Sequence, residues 1–295
     1  MKPLILPLFG HDALAASIAS GLDAEMGSVS LRHFPDGESH VRLDSNVVQR
    51  EVIAVANLHD PDAKLAPLLF AADAARELGA NRVGLIAPYL PYMRQDTRFA
   101  PGEAISSRSF ARVLSGTVDW LLTIDPHLHR FNALDELYTR PNRVVHAAPL
   151  LSAWIAANVA SPLLIGPDAE SRQWVAEVAA GAGAPFLVLD KVRHGDRDVA
   201  VSVPEVAQWR GHTPVLVDDI ISTGRTMIET IDHLRAAGMK APVCLGVHAV
   251  FAGDAHAALM AAGAAAVLSC NSIPHASNRL DVSASLVQAA RAMLA

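Results

Sequence analysis

Short, nearly unbroken apolar runs alternate with longer stretches in which apolar residues recur every third or fourth position, and this alternation continues almost to the end of the chain. Val83-Gly84-Leu85-Ile86, Leu163-Leu164-Ile165 and Val215-Leu216-Val217 are runs of the first kind and read as parallel strands buried on both faces. Asp12 to Leu22 is of the second kind, with Leu14, Ile18 and Leu22 on one helical face. The pattern predicts a strand over Leu4 to Phe9, that first helix, and two strand-like flanks in Val29 to Leu43 joined at Pro35-Asp36-Gly37. A strand over Glu51 to Leu58, a helix over Lys64 to Leu78 stopped by Gly79, and a strand over Arg82 to Tyr89 follow. A helix around Ser107 to Leu114 and a strand over Trp120 to Ile124 close the first series.

The series then restarts. Helices are expected at Pro149 to Val159 and Ser171 to Ala180, and strands at Pro162 to Gly166, Phe186 to Asp190 and Pro214 to Val217. A helix from Thr226 to Ala237 ends at Gly238, and Val243 to Phe251, Ala255 to Ala262 and Ala265 to Ser269 continue the alternation before a last helix, Ser283 to Leu294. Such alternation implies parallel sheets with right-handed crossovers. ARELGANRVGLIA and LRAAGMKAPVCLGV share a helix, glycine, strand grammar at comparable places, a hint of duplication. With 295 residues the chain suits two domains, and Pro141 and Asn142 interrupt the pattern between Arg140 and His146. The expected division is 1–143 and 144–282, with the terminal helix 283–295 able to pack on either, including the first.

Composition narrows the class. A chain that is 51% hydrophobic and 18% charged is not disordered, and 5% aromatic residues leave Val, Leu, Ile and Ala to build the cores. A net charge of -6 argues against a general nucleic-acid binder, although local basic patches can still serve phosphates. Cys244 and Cys270 lie in apolar runs and allow neither a disulfide framework nor a Cys-rich zinc site, which fits a reducing compartment. The opening MKPLILPLFG is short, carries Pro3 and Pro7, and runs into His11 and Asp12, so it reads as a strand rather than a leader. No apolar run reaches the roughly 18 residues of a membrane span, and a soluble cytoplasmic protein without membrane or nucleic-acid partners is expected.

The most informative segment is VLVDDIISTGRTMIET. An apolar strand delivers Asp218 and Asp219, and Ser222-Thr223-Gly224-Arg225-Thr226 then leads into a helix. A glycine-containing turn at a helix N-terminus offers unpaired N–H groups and the positive end of the dipole to a phosphate, and the hydroxyls add donors. Alone, Ser/Thr-Gly-Arg-Thr reads equally as an ordinary cap. With two carboxylates upstream to accept from sugar hydroxyls, it resembles the phosphoribosyl diphosphate loop of the type I phosphoribosyltransferase fold.

Four further segments refine that resemblance. FPDGES (Phe34 to Ser39), PYLPYMRQDTRF (Pro88 to Phe99), TIDPHLHRF (Thr123 to Phe131) and LDKVR (Leu189 to Arg193) are similar, in order, to segments of the ribose-phosphate pyrophosphokinases. The D-P-H-L-H-R, G-E-A-I-S and K-x-R-x-G-D-R versions are closer to the archaeal-type branch. The resemblance implies two tandem type I phosphoribosyltransferase-like domains, each a mostly parallel sheet flanked by helices. It implies transfer of the diphosphoryl group of ATP to the C1 hydroxyl of ribose 5-phosphate.

By the same resemblance, Lys191 and Arg193 are catalytic, and their i, i+2 spacing puts both on one face of an extended segment. ATP falls to Phe34, Asp36 and Glu38 and to Arg94, Gln95 and Asp96, with Arg98 either a further phosphate contact or a surface arginine. Ribose 5-phosphate falls to Asp218, Asp219 and Ser222 to Thr226, with help from Arg193. Magnesium is expected at His127 and Asp168, although histidine is an unusual partner for a hard cation and Asp125 is the more natural donor. His129 makes a His-x-His pair with His127, but no second cluster completes a tetrahedral zinc set. A homo-oligomer is implied, with the ATP site shared between subunits.

Ser222 stands where many synthetases carry an acid, Arg225 where they carry a second glycine, and PDAES departs from their P-D-x-G-G. A phosphoribosyltransferase and a non-catalytic regulatory homologue are the alternative readings. The first leaves the RQD and FPDGE segments without a purpose, and retained Lys191, Arg193, His127 and Asp168 count against the second. Gly195 and the charges around it suit a mobile lid after Lys191.

Overall fold

The computed structural model describes the chain except residues 129, 170, 195–197 and 203–205, and for 190–194, 198–202 and 207 it describes the backbone alone. The expectations for His129 and the Gly195 lid, and for the side chains of Lys191 and Arg193, therefore lie outside the described residues.

Two compact units emerge. The first comprises Met1–Val145, Ser272–Pro274 and Val282–Ala295, and the second His146–Asn271 and His275–Asp281. The first unit runs β1 (Leu4–Leu8), α1 (Asp12–Leu22), β2 (Glu25–Met26), a hairpin of β3 (Val29–His33) and β4 (Ser39–Leu43), then β5 (Glu51–Ala56), α2 (Asp62–Glu77), β6 (Arg82–Ile86), α3 (Ser106–Thr117), β7 (Trp120–Ile124) and β8 (Asn142–Val145). Six strands form one sheet in the order β2-β1-β5-β6-β7-β8, every pairing parallel. The interruption at Pro141 and Asn142 opens the edge strand β8, and the two units divide directly after it, between Val145 and His146.

The second unit runs α4 (Ala148–Asn158), β9 (Pro162–Gly166), α5 (Arg172–Ala182), β10 (Phe186–Val188), a hairpin of β11 (Asp190–His194) and β12 (Asp198–Ser202), β13 (Thr213–Ile221), α6 (Arg225–Ala236), β14 (Val243–Ala249), α7 (Ala255–Ala262), β15 (Ala266–Cys270) and β16 (Asn278–Leu280). Its sheet order, β10-β9-β13-β14-β15-β16, repeats that of the first unit, again with parallel pairings. In each unit a two-stranded hairpin precedes the strand at the third place in the sheet. The shared order explains why Gly79 and Gly238 recur: each stands in the left-handed region after a helix, before the strand at the fourth place.

Buried faces follow the apolar runs. β5 is buried from Val52 to Ala56, β7 throughout and β14 throughout, as strands covered on both sides must be. The terminal helix α8 (Ser283–Leu294) belongs to the first unit, where it packs on α1 and the β7–β8 edge. Arg291 donates to the Gly21 carbonyl (2.7 Å) and Arg82 to that of Met293 (3.1 Å), so the helix C-terminus is tied at two points.

His11, at the N-terminus of α1, is 2% exposed and donates from Nε2 to the Ser272 carbonyl at 3.1 Å. Burial holds its pKa down to about 4. The native state therefore keeps the ring neutral while the unfolded chain takes up a proton below about pH 6.5. Stability should fall as pH drops from about 6.5 and level off below about 4, a loss of about 3 kcal/mol from this group. His11→Gln is expected to flatten that part of the acid limb. Urea midpoints at pH 7 and pH 4 check this, and equal acid losses in both proteins would refute it.

Candidate active site

In the second unit, β13 carries the two aspartates into a short turn before α6. The sequence ends this strand at Val217, whereas pairing to β14 continues through Ile220–His248 and Ile221–Ala249 and draws Asp218 and Asp219 into the strand. The turn is Ser222 to Gly224. Gly224 caps α6 with φ +68, a conformation L side chains rarely adopt, and a Cβ there would sit 3.2 Å from the Leu259 side chain. No side chain caps the helix and its first turn holds no acid, so the dipole's positive end faces the turn without an internal anion. Ala252 donates its N–H to the Ser222 carbonyl (3.2 Å), which steadies the turn from the loop after β14. Thr223 and Arg225 are exposed, and Ser222 and Thr226 half-buried.

The carboxylates upstream form a strained electrostatic group. Asp218 accepts the Asp219 backbone N–H (2.9 Å), and Asp219 accepts that of Ile220 (2.8 Å). Burial pushes Asp218 well above the usual carboxylate range, and the charges of Asp219 and then Asp168 push the same way. Asp168, in the loop after β9, accepts the N–H of Ser171 (3.1 Å). Three oxygen-donor side chains, with the charges of Asp219 and Asp168 both felt at Asp218, suit a cationic ligand. Among the described residues, no group of three or more His, Cys, Asp or Glu side chains could by itself hold a metal ion.

Lys191 and Arg193 lie two apart on β11, whose antiparallel register with β12 sets them opposite Val201 and Val199. That hairpin is a feature the alternation of apolar runs did not reveal, because Lys191 to Asp198 reads as a charged loop.

In the first unit, the loop after β6 holds Arg94 exposed, Gln95 half-buried and Asp96 buried. Ser106, at the start of α3, donates its hydroxyl to Gln95 Oε1. Asp96 Oδ1 lies 3.3 Å from Nε of Arg130, in the loop after β7 that also carries the half-buried His127. Arg98 donates to the Glu103 carbonyl (2.9 Å), while the Glu103 carboxylate receives the N–H groups of Phe99 and Ala100 (2.8 and 3.1 Å). Ser106, Arg130 and Glu103 were not singled out from the sequence for these contacts. G-E-A-I-S and D-P-H-L-H-R contain them, but nothing in either segment names a partner.

The tip of the β3–β4 hairpin is the FPDGE segment. Phe34 N–H donates to the Glu38 carbonyl (2.8 Å), Gly37 turns at φ +92, and residues 34–38 are all exposed. Arg32 lies over the Phe34 ring at 4.8 Å and His40 meets its edge at 5.7 Å. The aromatic and the acids Asp36 and Glu38 are thus displayed outward.

Fold and loop together define a class, proteins built from phosphoribosyltransferase-type domains, and residues 133–284 match the family described as the phosphoribosyl transferase domain. Residues 4–117 match the family described as the N-terminal domain of ribose phosphate pyrophosphokinase. The ribose-phosphate pyrophosphokinase of Methanopyrus kandleri is 34% identical over 279 residues, 94% of each chain, and that of Halobacterium salinarum 34% over 288 residues, 97% of this chain and all of its own. The crystal structure of phosphoribosylpyrophosphate synthetase from Mycobacterium smegmatis is 26% identical, with a TM-score of 0.85 over 99% of both chains. The chain belongs to the ribose-phosphate pyrophosphokinase family. No helix among the described residues is long and apolar enough to cross a membrane.

Proposed function

We propose that this chain transfers the β,γ-diphosphoryl group of ATP to the C1 hydroxyl of ribose 5-phosphate, giving 5-phosphoribosyl 1-diphosphate and AMP. The observation that carries the reading is the uncapped N-terminus of α6, set behind a left-handed Gly224 and directly after Asp218 and Asp219. Ser222 to Thr226 hold the 5-phosphate through backbone N–H groups and hydroxyls, and Arg225 supplies the charge. Asp218 and Asp219 accept from the 2- and 3-hydroxyls. The C1 oxygen attacks the β-phosphorus, the bond from that phosphorus to the α,β-bridging oxygen breaks, AMP departs, and the hydroxyl proton is released.

Lys191 and Arg193 grip the transferring phosphates, where negative charge shifts as the bonds exchange. Arg94 and Gln95 receive ATP. Asp96, which the sequence groups with them, is enclosed and paired with Arg130, which suits a part in shaping the turn beside the nucleotide. Magnesium, expected at His127 and Asp168, needs only one or two carboxylates beside substrate phosphates and water, so the acidic donors near Asp168 fit it. When bound, it neutralises and orients the triphosphate. The outward display of Phe34, Asp36 and Glu38 supports a homo-oligomer in which this hairpin completes a neighbouring subunit's ATP site; the cytoplasm is the compartment we propose for it.

The purified chain, given ATP, ribose 5-phosphate and magnesium, is expected to release AMP and phosphoribosyl diphosphate in equal amounts, and no AMP without the sugar. ADP as the sole nucleotide product overturns the reading. Base-dependent release of pyrophosphate identifies a phosphoribosyltransferase instead. Binding of both substrates without turnover identifies a regulatory homologue.

A further inference from the structure

Arg94, Gln95 and Asp96 are consecutive, yet they meet three different environments. Arg94 is exposed, whereas the Asp96 side chain keeps only 7% of its surface and pairs with Arg130. A carboxylate so enclosed offers a nucleotide little surface, and removing the cation it pairs with among the described residues would leave a buried charge poorly compensated. Arg130 comes from a different loop, three residues after His127, and its own side chain is 62% exposed. The turn is fastened from the other side as well. The Ser106 hydroxyl donates to Gln95 Oε1, and the Ser107 N–H to the Gln95 carbonyl at 3.3 Å. Tyr92, which opens the turn, stands at φ +63 and accepts the Gln95 N–H at its carbonyl (3.4 Å). A backbone in that region persists only where its surroundings hold it.

We infer that Arg130 is a positioning residue for ATP: through Asp96 it sets the turn that presents Arg94 and Gln95, and it fastens that turn to the loop carrying His127. The inference rests on the ATP-site reading above and deepens it. Asp96 is then part of the support rather than a ligand to the nucleotide. Arg130→Met keeps much of the side-chain length but leaves the Asp96 charge unpaired, so the turn relaxes and Arg94 and Gln95 lose their registration. The ribose 5-phosphate loop, in the second unit, shares no residue with this pair.

The test uses the full-length chain and two readouts, steady-state kinetics and calorimetric binding of magnesium-ATP. Arg130→Met is expected to raise both KM and Kd for ATP by about tenfold, the scale of coupling between paired charges. KM for ribose 5-phosphate should change less than about twofold and kcat less than about threefold. Arg130→Lys restores most of the ATP affinity, and the Asp96→Asn, Arg130→Met double variant is no worse than Arg130→Met alone. Equal rises in both KM values, full additivity of the two substitutions, or unchanged ATP binding in Arg130→Met would each overturn the inference. Wild-type turnover with an unaffected Arg130→Met removes the inference and leaves the reaction standing. A wild-type chain that binds no ATP removes both.

Discussion

Lys191→Ala is expected to reduce kcat by a factor on the order of 10² to 10³, the range seen when one donor to a developing charge is deleted, with KM values for both substrates moving far less. Two polyanions must be brought together, and the group that moves carries its charge from one oxygen to another. A cation contributes to rate only so far as it binds that arrangement better than the separate substrates. Arg193, two positions on, remains in the variant and sets a floor under the loss. The fold should be intact, because β11 pairs with β12 through backbone groups that alanine retains. An unchanged circular dichroism spectrum and thermal midpoint would establish that. Mixing this variant with Asp36→Ala adds a second readout, since each chain lacks a different part. Recovered activity follows if the β3–β4 hairpin of one subunit serves another's ATP site. A kcat within threefold of wild type would remove Lys191 from the chemistry.

The sequence displayed the sheets plainly because strands buried on both faces cannot hide. β7 and β9 match their apolar runs residue for residue, and α1, α7 and α8 match their periodic stretches. Edge and hairpin strands were harder to read. Asn142–Val145 is only partly buried, and Asp190–His194 is dominated by charges, so neither carries the apolar signature on which the reading depends. The end of β13 was misplaced for a related reason. Asp218 and Asp219 look like the close of a strand, but a partner strand on the far side continues the pairing, and only the fold supplies that partner. Motifs pointed to the Ser222–Thr226 turn and the RQD turn because glycine and hydroxyls, or a basic-amide-acidic triplet, have a chemistry that shows locally. They did not distinguish a side chain offered to a ligand from one that holds its neighbours in place. Gln95 and Asp96 look alike on the page, and only the fold shows what each contacts, Ser106 eleven residues after the one and Arg130 thirty-four after the other.

Gly84→Ala is expected to destabilise the protein by about 3 kcal/mol, the upper part of the range for overpacking a filled core. Gly84 lies in β6, paired with Ile53 on one side and Trp120 on the other. A Cβ at this position would fall 2.0 Å from Cε2 and 2.1 Å from Cζ2 of Trp120, inside any tolerable contact. The indole is 1% exposed and rigid, so it has neither a free direction nor a flexible end to move. Absence of a side chain at Gly84 is therefore what makes room for Trp120. The effect should be strongly non-additive: in a Trp120→Val background, where every ring atom that meets the added Cβ is gone, Gly84→Ala should cost less than about 1 kcal/mol. Urea unfolding separates the cases, with a lowered midpoint and an unchanged slope expected for Gly84→Ala alone. A loss below about 0.5 kcal/mol would show that the sheet yields at this point. The contact also bears on the site, because the loop after β6 carries Arg94 and Gln95 and the loop after β7 carries His127 and Arg130. Displacing one strand against the other should disturb the Asp96–Arg130 pair first, so the folded fraction of Gly84→Ala should show a raised KM for ATP before any change in KM for ribose 5-phosphate.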